Sequence, residues 1–343
     1  MMTRRPVFAA VLLALALAAC GRAGAPQGGE TPGEIHFAVQ STESTESAAV
    51  VSGAWRPILA DMERRTGLKV KLHVYANDAA LIEAMHMTGV DAGLFSNLAG
   101  LEVVRHAGGE VFARTADPEG VAARVSVLIA ASKRGLTLDR ALKCRRTLTL
   151  GMGDTLSTAG ALAPMTYLFA PRDIDPRTCF KEVRVGVTPE TDLTAVAKGQ
   201  LDLAAVSSTA LALDQRQGRP GAAAVTVLWS SPPLPQDPII RRKSLDPVVK
   251  EKLRQFFLTY GQGDGAGAVK ARGYLAKINI GGFKPADDSH LLPVREMEAT
   301  SAWYGAKRAG DKAKIAAAQG RRDEITAERV SLEARTRAPA AAQ

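Results

Sequence analysis

The chain has few of the residues that build metal centres, disulfide frameworks or nucleic-acid interfaces. Its 343 residues include three cysteines and five histidines. No two histidines stand at the helix or hairpin spacing of a metal-ligand pair. Aromatic residues make up 5% of the chain, and no basic stripe is interleaved with them despite a formal charge of +9. We therefore predict no metal centre, no cofactor and no nucleic-acid partner.

The apolar run near the N-terminus is also short. Two arginines precede residues 7–19, which are too few to span a bilayer and match the core of a signal peptide. The run ends in Ala-Ala-Cys20-Gly, which resembles a bacterial lipobox whose cysteine is lipidated. We expect a signal peptide over residues 1–19, a lipid anchor on Cys20 and a flexible tether over residues 20–33. A plain signal peptide with an incidental cysteine is the alternative.

Two cysteines remain beyond the predicted anchor. Export would place Cys144 and Cys179 in an oxidising compartment. A bridge between them would close a loop of about 35 residues and contribute roughly 3–4 kcal/mol to stability. Two separate buried thiols are the alternative, and the sequence leaves both open.

A strand-to-helix turn carries the strongest site pattern. Residues 147–152 are apolar and β-branched and predict a buried strand, whereas residues 161–169 predict a helix that Pro164 should kink. Ser157 and Thr158 stand where this helix should begin, beside backbone N–H groups that have no intrahelical partner. With the helix dipole, these groups would form a seat for an anion. A helix cap without a ligand is the alternative.

Strands and helices alternate along the chain, which predicts an α/β fold of about two domains with parallel-type sheets. Ligand groups gather at the carboxyl ends of the strands in such sheets. Four features fall at these ends, namely the hydroxyl-rich turn at 41–47, Asp78, Phe95 and Ser157. Asp78 is also expected to cap a helix that Gly89 ends.

The chain from residue 124 onward predicts two crossings between domains and a helical C-terminus. Residues 124–131 predict a strand entering a second domain, and the proline-rich run at 230–238 predicts the return. Residues 261–267 are glycine-rich and predict a loop. Residues 296–334 predict one or two amphipathic helices, which could pack on the first lobe or pair two subunits.

Several of these features occur together in one known family. They are, in order, Ser41-Thr42-Glu43, Val90-Asp91-Ala92, Gly153-Asp154 with Ser157-Thr158-x-Gly160, the run from Ser231 to Pro238, and Phe283-Lys284-Pro285-Ala286-Asp287-Asp288. The chain resembles the periplasmic phosphonate-binding proteins of phosphonate, phosphate and phosphite ABC importers. The resemblance implies a type II periplasmic binding protein, with two lobes joined by crossing strands that close on a ligand by a hinge motion. We expect lobe 1 over residues 34–123 plus 236–295, lobe 2 over 124–235, and C-terminal helices and a tail over 296–343.

The resemblance also implies roles for individual residues. Ser157 and Thr158, with backbone N–H groups near Gly160, would hold the phosphonate oxygens. Asp237, an acidic residue before proline in the second crossing, would help to bind a ligand amino group. Four positions depart from the pattern of aminoethylphosphonate binders: Asp78 and Phe95 replace tyrosines, Pro189 replaces a histidine and Thr209 replaces a glutamate. A shifted ligand choice follows, in which Asp78 and Asp237 together favour a cationic group beside the anion.

The implied function is ligand capture for an ABC permease and ATPase, by a protein that is periplasmic, lipid-anchored and not an enzyme. Two other functions remain open at this point. The same fold would serve an anion-sensing module with a membrane signalling partner, or a drifted paralogue with a different small-anion ligand.

Overall fold

The computed structural model describes residues 34–40, 48–118, 123–186 and 188–337. The predicted signal peptide, the Cys20 anchor, the tether and the hydroxyl-rich turn at 41–47 lie outside the described residues. Within the described part of the chain, no helix is both long and apolar enough to cross a membrane.

The strands belong to two sheets. The strands are β1 (Glu34–Gln40), β2 (Lys69–Tyr75), β3 (Ala92–Leu94), β4 (Gly109–Ala116), β5 (Ser126–Ala131), β6 (Thr149–Met152), β7 (Glu182–Val185), β8 (Leu203–Ser207), β9 (Val225–Ser230), β10 (Pro238–Arg242) and β11 (Gly282–Pro285). One sheet has the order β11-β4-β10-β3-β1-β2, and the other has the order β7-β6-β8-β5-β9. We call the first sheet with its helices the first lobe, and the second sheet with its helices the second lobe.

Both sheets are mixed, and this corrects the prediction of parallel-type sheets. β1 pairs in parallel with β2 and β3, and β6 pairs in parallel with β7 and β8. β5 and β10, the strands that follow the two crossings, run in the opposite direction. They enter their sheets from the opposite lobe and pair antiparallel with both neighbours. The crossing segments are residues 117–125, of which 119–122 lie outside the described residues, and residues 231–237.

The helices cover the faces of these sheets. They are α1 (Ala48–Thr66), α2 (Asp78–His86), α3 (Asn97–His106), α4 (Leu138–Ala141), α5 (Pro176–Cys179), α6 (Pro189–Lys198), α7 (Ser208–Arg216), α8 (Pro220–Ala223), α9 (Pro247–Thr259), α10 (Ala266–Lys277), α11 (Leu292–Ala309) and α12 (Lys312–Arg337). Two π-helical segments, Thr158–Leu162 and Pro164–Phe169, follow β6. An aromatic cluster of Phe37, Trp55 and Phe257 forms the centre of the core beneath α1 and α9.

Local capping follows the sequence in most places and departs from it around α2. Gly67 takes the left-handed conformation after α1, which is typical of a glycine that ends a helix. The cap of α2 is Asn77, whose side chain accepts from Ala80 N–H, so Asp78 is the first helical residue and not the cap. This helix ends at His86, and Thr88 takes the positive φ that was expected at Gly89.

Two other expectations need correction. The glycine-rich stretch at 261–267 is not a loop throughout, because α10 begins at Ala266 and buries Ala271 and Leu275. Burial on the core side therefore outweighs the low helix propensity of its glycines. Pro164 does not sit inside a regular α-helix but begins the second π-helical segment, where its missing N–H is tolerated.

The C-terminal residues form two helices that pack on each other. Glu296 of α11 accepts from both Thr326 Oγ1 and Arg329 Nε of α12 at 2.7 Å, and Ile325 is buried between the helices. Cys144 and Cys179 are joined by a disulfide in the second lobe.

Candidate functional site

A cavity of about 380 Å³ lies between the lobes at the ends of their strands. The first lobe contributes the last residues of β1, β3 and β4 and the residues after β2, and the second lobe contributes the turn after β6 and the starts of α6 and α7. Six of the seven residues predicted to bind the ligand line this cavity: Asp78, Ser157, Thr158, Gly160, Thr209 and Asp237.

The turn after β6 has the serine-capped helix start that its sequence predicts, and the binding of an anion there stays a prediction. Ser157 has an extended backbone and caps the following helix, and its Oγ accepts from Gly160 N–H at 3.0 Å. Asp154 supports the turn from the other side, because its Oδ1 accepts from Leu156 N–H at 2.9 Å. The residues at the start of this helix, Ser157, Thr158, Ala159 and Gly160, all line the cavity. A helix start carries N–H groups without intrahelical partners and the positive end of the dipole.

Two glycines let this turn close tightly. Gly153 N–H donates to Gly160 O at 3.1 Å, so the backbones of the two residues touch. A Cβ atom on Gly160 would lie 2.9 Å from Gly153 Cα and 3.0 Å from Ser157 Oγ. The turn therefore needs glycine at position 160 because the two backbones approach closely. The sequence alone does not show whether a glycine is needed for close approach or for an unusual backbone conformation.

Thr158 connects the seat to the opposite lobe. Its side chain is buried, and its Oγ1 accepts from Leu98 N–H in the first turn of α3 at 3.3 Å. A hydroxyl that accepts one hydrogen bond still has its own hydrogen to donate. Thr158 can therefore hold an anion oxygen while it bridges the two lobes.

Asp78 approaches the cavity from the first lobe. Its Oδ2 accepts from Ser96 Oγ at 2.9 Å, and the Gln40 amide, oriented for hydrogen bonding, donates to Oδ1 at 2.8 Å. Burial raises the pKa of Asp78 to about 7, the Ser96 hydrogen bond opposes this, and the nearby carboxylates of Asp237 and Asp154 raise the pKa further. This carboxyl therefore changes its charge near neutral pH.

Asp237 is paired with a residue that the sequence did not single out. Arg124 donates from Nη1 to Asp237 Oδ2 at 2.6 Å and from Nη2 to Oδ1 at 2.8 Å, and Nη2 also donates to Pro235 O. Asn97 adds a third hydrogen bond to this carboxylate. The pair connects the two crossing segments. Arg124 lies 113 positions from Asp237 in the sequence, and no sequence pattern predicted their contact.

Phe95 is the predicted ligand-binding residue that does not line the cavity. Its side chain is fully buried in the core formed by α2, α3 and β10, where it packs under Gly93 and Gly100. Pro189, which stands where aminoethylphosphonate binders have a histidine, lines the cavity as the first residue of α6. We therefore remove Phe95 from the proposed ligand-binding set.

A histidine that was not predicted lies close to this site. Burial lowers the pKa of His290, whose Nε2 donates to Gln236 O at 2.7 Å in the second crossing. Over the residues described here, no group of three or more His, Cys, Asp or Glu side chains is arranged to hold a metal ion. The chemistry of the cavity is thus that of hydroxyls, backbone N–H groups and carboxylates.

A family model described as the periplasmic substrate-binding protein of a phosphonate ABC transporter matches residues 41–291. A curated relative, the phosphonates-binding periplasmic protein of Escherichia coli strain K12, is 32% identical over 274 residues, which are 80% of this chain and 78% of the relative. The chain belongs to the family of periplasmic phosphonate-binding proteins of ABC transporters. The family resemblance inferred from the sequence is therefore confirmed.

Solved structures of similar proteins agree with this assignment. The binding component of an ABC phosphonate transporter from Pseudomonas aeruginosa is similar with a TM-score of 0.77 and 31% identity, covering 88% of this chain and 97% of that one. A Prochlorococcus marinus protein solved with methylphosphonate has a TM-score of 0.66 at 14% identity, covering 78% of this chain and 97% of that one, and supports the fold alone. The two-lobed α/β fold of type II periplasmic binding proteins is confirmed, and the family is one of transport proteins that work in the periplasm.

Proposed function

We propose that this phosphonate-binding family member captures a phosphonate, phosphite or phosphate in the cavity and delivers it to an ABC permease and ATPase. The observation that carries the proposal is the seat after β6, where the Ser157 and Thr158 side chains line the cavity at the start of a helix. Each hydrogen bond to a charged oxygen is worth about 1.5–3 kcal/mol. Three or four of them supply much of the about 8 kcal/mol of a micromolar complex, before ordering costs.

Isothermal titration calorimetry with four ligands tests this proposal directly. 2-Aminoethylphosphonate, methylphosphonate, phosphite and phosphate are titrated into the wild-type protein, and at least one should bind with a dissociation constant of about 1 µM or tighter. Ser157→Ala removes the hydroxyl from the seat and should weaken that ligand by about tenfold or more. Thr137→Ala is the matched control, because Thr137 caps α4 outside the cavity. Binding of none of the four ligands would contradict the proposal.

We also propose the lipid anchor at Cys20, which is supported by the lipobox-like sequence. The wild-type protein should fractionate with membranes and carry acyl chains by mass spectrometry, whereas Cys20→Ser should be released in soluble form. A soluble, unmodified wild-type protein would contradict the anchor.

The pairing of two copies through the C-terminal helices stays a prediction. α12 buries Ile325 against α11 within one chain, while Val330 on the same helix is 52% exposed. Light scattering of the wild type and Val330→Lys tests it, because a dimer that uses this face should dissociate in the variant. The prediction that the protein is not an enzyme is supported by the transport role of its family.

A further inference from the structure

The cavity is more acidic than an anion site alone would need. Among the described residues that line it, five carboxylates accompany one guanidinium: Asp78, Asp117, Asp154, Glu190, Asp237 and Arg124. A ligand that carried only negative charge would face net repulsion from these groups. A ligand with a cationic group beside its anion would not, so the question is which carboxylate receives that group.

Asp237 is occupied by a partner within the protein. Arg124 binds it in a two-pronged arrangement, and the two side chains are only 14% and 27% exposed. Such a pair has matched geometry and balanced charge, so an ammonium group would have to displace a guanidinium to use this carboxylate. Asp237 is thus poorly suited to bind a ligand amine.

Arg124 uses most of its donors within the protein. Three of its five N–H groups are engaged, two with Asp237 and one with Pro235 O. Its Nε has no hydrogen-bond partner among the described residues, but that atom is buried away from solvent and from the open cavity. The Arg124–Asp237 ion pair therefore acts within the protein by connecting the two crossing segments, and we call this pair the clasp.

The three remaining carboxylates already have partners within the protein. Gln236 Nε2 donates to Asp117 Oδ2 at 2.6 Å, and although burial raises the pKa of Asp117, the positive charges of Arg124 and Arg114 oppose that shift. Asp154 is exposed to solvent and accepts from Leu156 N–H in the turn. Glu190, in the first turn of α6, also has an interaction partner within the protein. The helix dipole does not set it apart, because Asp78 likewise occupies a first turn, that of α2.

Asp78 differs from these groups because it is buried without a compensating cation among the described residues. It is 4% exposed, and both partners in its hydrogen bonds, the Ser96 hydroxyl and the Gln40 amide, are neutral. A carboxylate has about four acceptor sites, so the two described bonds leave capacity for a ligand donor. The cost of burying this charge falls when an ammonium group arrives.

Asp78 and the anion seat line the same cavity from different lobes. Ser96, which donates to Asp78, caps α3, and Leu98 in the first turn of α3 donates to Thr158 of the seat. One short structural path therefore connects the carboxyl to the residue that holds the anion. A ligand lying between them would place its phosphonate on the second lobe and its amine on the first.

We propose that Asp78, and not Asp237, is the carboxylate that selects a ligand bearing a cationic amino group, while Asp237 positions the crossing segments through Arg124. The inference rests on the proposed function and names its substrate class, the aminoalkylphosphonates. Asp78 stands where the family pattern has a tyrosine, so this selection would belong to the present chain rather than to the family as a whole.

The test compares two ligands of the same shape in calorimetry. 2-Aminoethylphosphonate and propylphosphonate differ by an ammonium in place of a methyl group. The wild type should bind the amine at least about tenfold more tightly, since a charge-assisted hydrogen bond is strong. Asp78→Asn should weaken the amine by about 10- to 100-fold and leave propylphosphonate bound at least as tightly as before. Asp117→Asn, the matched control, removes one carboxylate from the same cavity and should keep the preference.

Three outcomes would overturn the inference. Equal affinity of the wild type for the two ligands would refute it without any variant, even if Asp78→Asn fails to fold. An equal loss for both ligands in Asp78→Asn would make Asp78 structural. A selective loss of the amine in Asp237→Asn, with none in Asp78→Asn, would return the role to Asp237. If neither ligand bound the wild type while methylphosphonate, phosphite or phosphate did, the inference would fail and the proposed function would stand.

Discussion

The backbone N–H of Leu98 donates to Thr158 Oγ1 at 3.3 Å, and this bond joins the first lobe to the anion seat of the second. Both residues are buried, so the bond is shielded from water. The hydroxyl that should hold the ligand is therefore also one that holds the lobes together. If Thr158 binds the ligand as proposed, ligand binding and the contact between the lobes share this oxygen atom.

Thr158→Val should separate the hydrogen bonds of the Thr158 hydroxyl from the packing of its side chain, because valine keeps the shape of threonine and removes the hydroxyl. Affinity for the phosphonate that binds the wild type should fall about 10- to 100-fold, since a bond to a charged oxygen is lost. Thr166→Val is the matched control: Thr166 is similarly buried and donates to Met297 O at 3.2 Å, outside the cavity. Equal affinity losses in the two variants by calorimetry would contradict the assignment.

Gly160→Ala should damage the seat through steric contact alone. The added Cβ would lie 2.9 Å from Gly153 Cα, a distance that requires the backbone to move. We expect a loss of about 1–3 kcal/mol in the free energy of unfolding and a clear loss of ligand affinity. Gly273→Ala in α10 meets open space and should be neutral or stabilising by about 0.5–1 kcal/mol. Urea unfolding of both variants checks this, and a neutral Gly160→Ala would rule out the close approach.

The local features of the site were predictable because local sequence determines them. A serine before a helix satisfies orphan N–H groups whatever the rest of the fold does, so Ser157 was correctly placed at a helix start. The order of strands and helices follows from hydrophobic periodicity in the same way. These short-range rules gave the seat and most elements of the two lobes.

The long-range features were not predictable from pattern. Arg124 and Asp237 are 113 positions apart, and their contact depends on how two crossing segments meet. β4 and β11 pair with each other at one edge of the first sheet, and neither was predicted as a strand from the sequence. Phe95 was expected in the cavity because it follows a strand, but its apolar ring lies in the core.

Asp192→Asn should flatten the pH dependence of stability. Asp192 is 2% exposed at the start of α6, and burial raises its pKa to about 7 although Arg184 opposes the shift. The folded protein then binds a proton more tightly than the unfolded chain, so the free energy of unfolding falls as pH rises from about 4 to about 7. The variant should lose less stability between pH 5 and pH 8 than the wild type, by about 2 kcal/mol.

Urea unfolding at pH 5 and pH 8 measures this difference. Asp139→Asn is the control, because Asp139 occupies the first turn of α4 but is exposed. Asp78, whose pKa is also raised, is present in the wild type and in both variants. The free energy of unfolding should therefore still fall somewhat with rising pH in all three proteins. Identical slopes for the wild type and Asp192→Asn would show that this carboxyl does not titrate from a buried, protonated state.

A double-mutant cycle on Arg124 and Asp237 tests whether the clasp exists in solution. Arg124→Gln and Asp237→Asn each leave one partner without its counter-charge in a mostly buried place, which should cost about 2–4 kcal/mol of unfolding free energy. The double variant should cost less than the sum of the two, with a coupling of about 1–3 kcal/mol. The exposed pair Arg295 and Glu328 is the control and should show much weaker coupling. Coupling no larger than that of the control pair would mean that Arg124 does not hold Asp237, whose carboxylate would then be free to compete with Asp78 for a ligand amine.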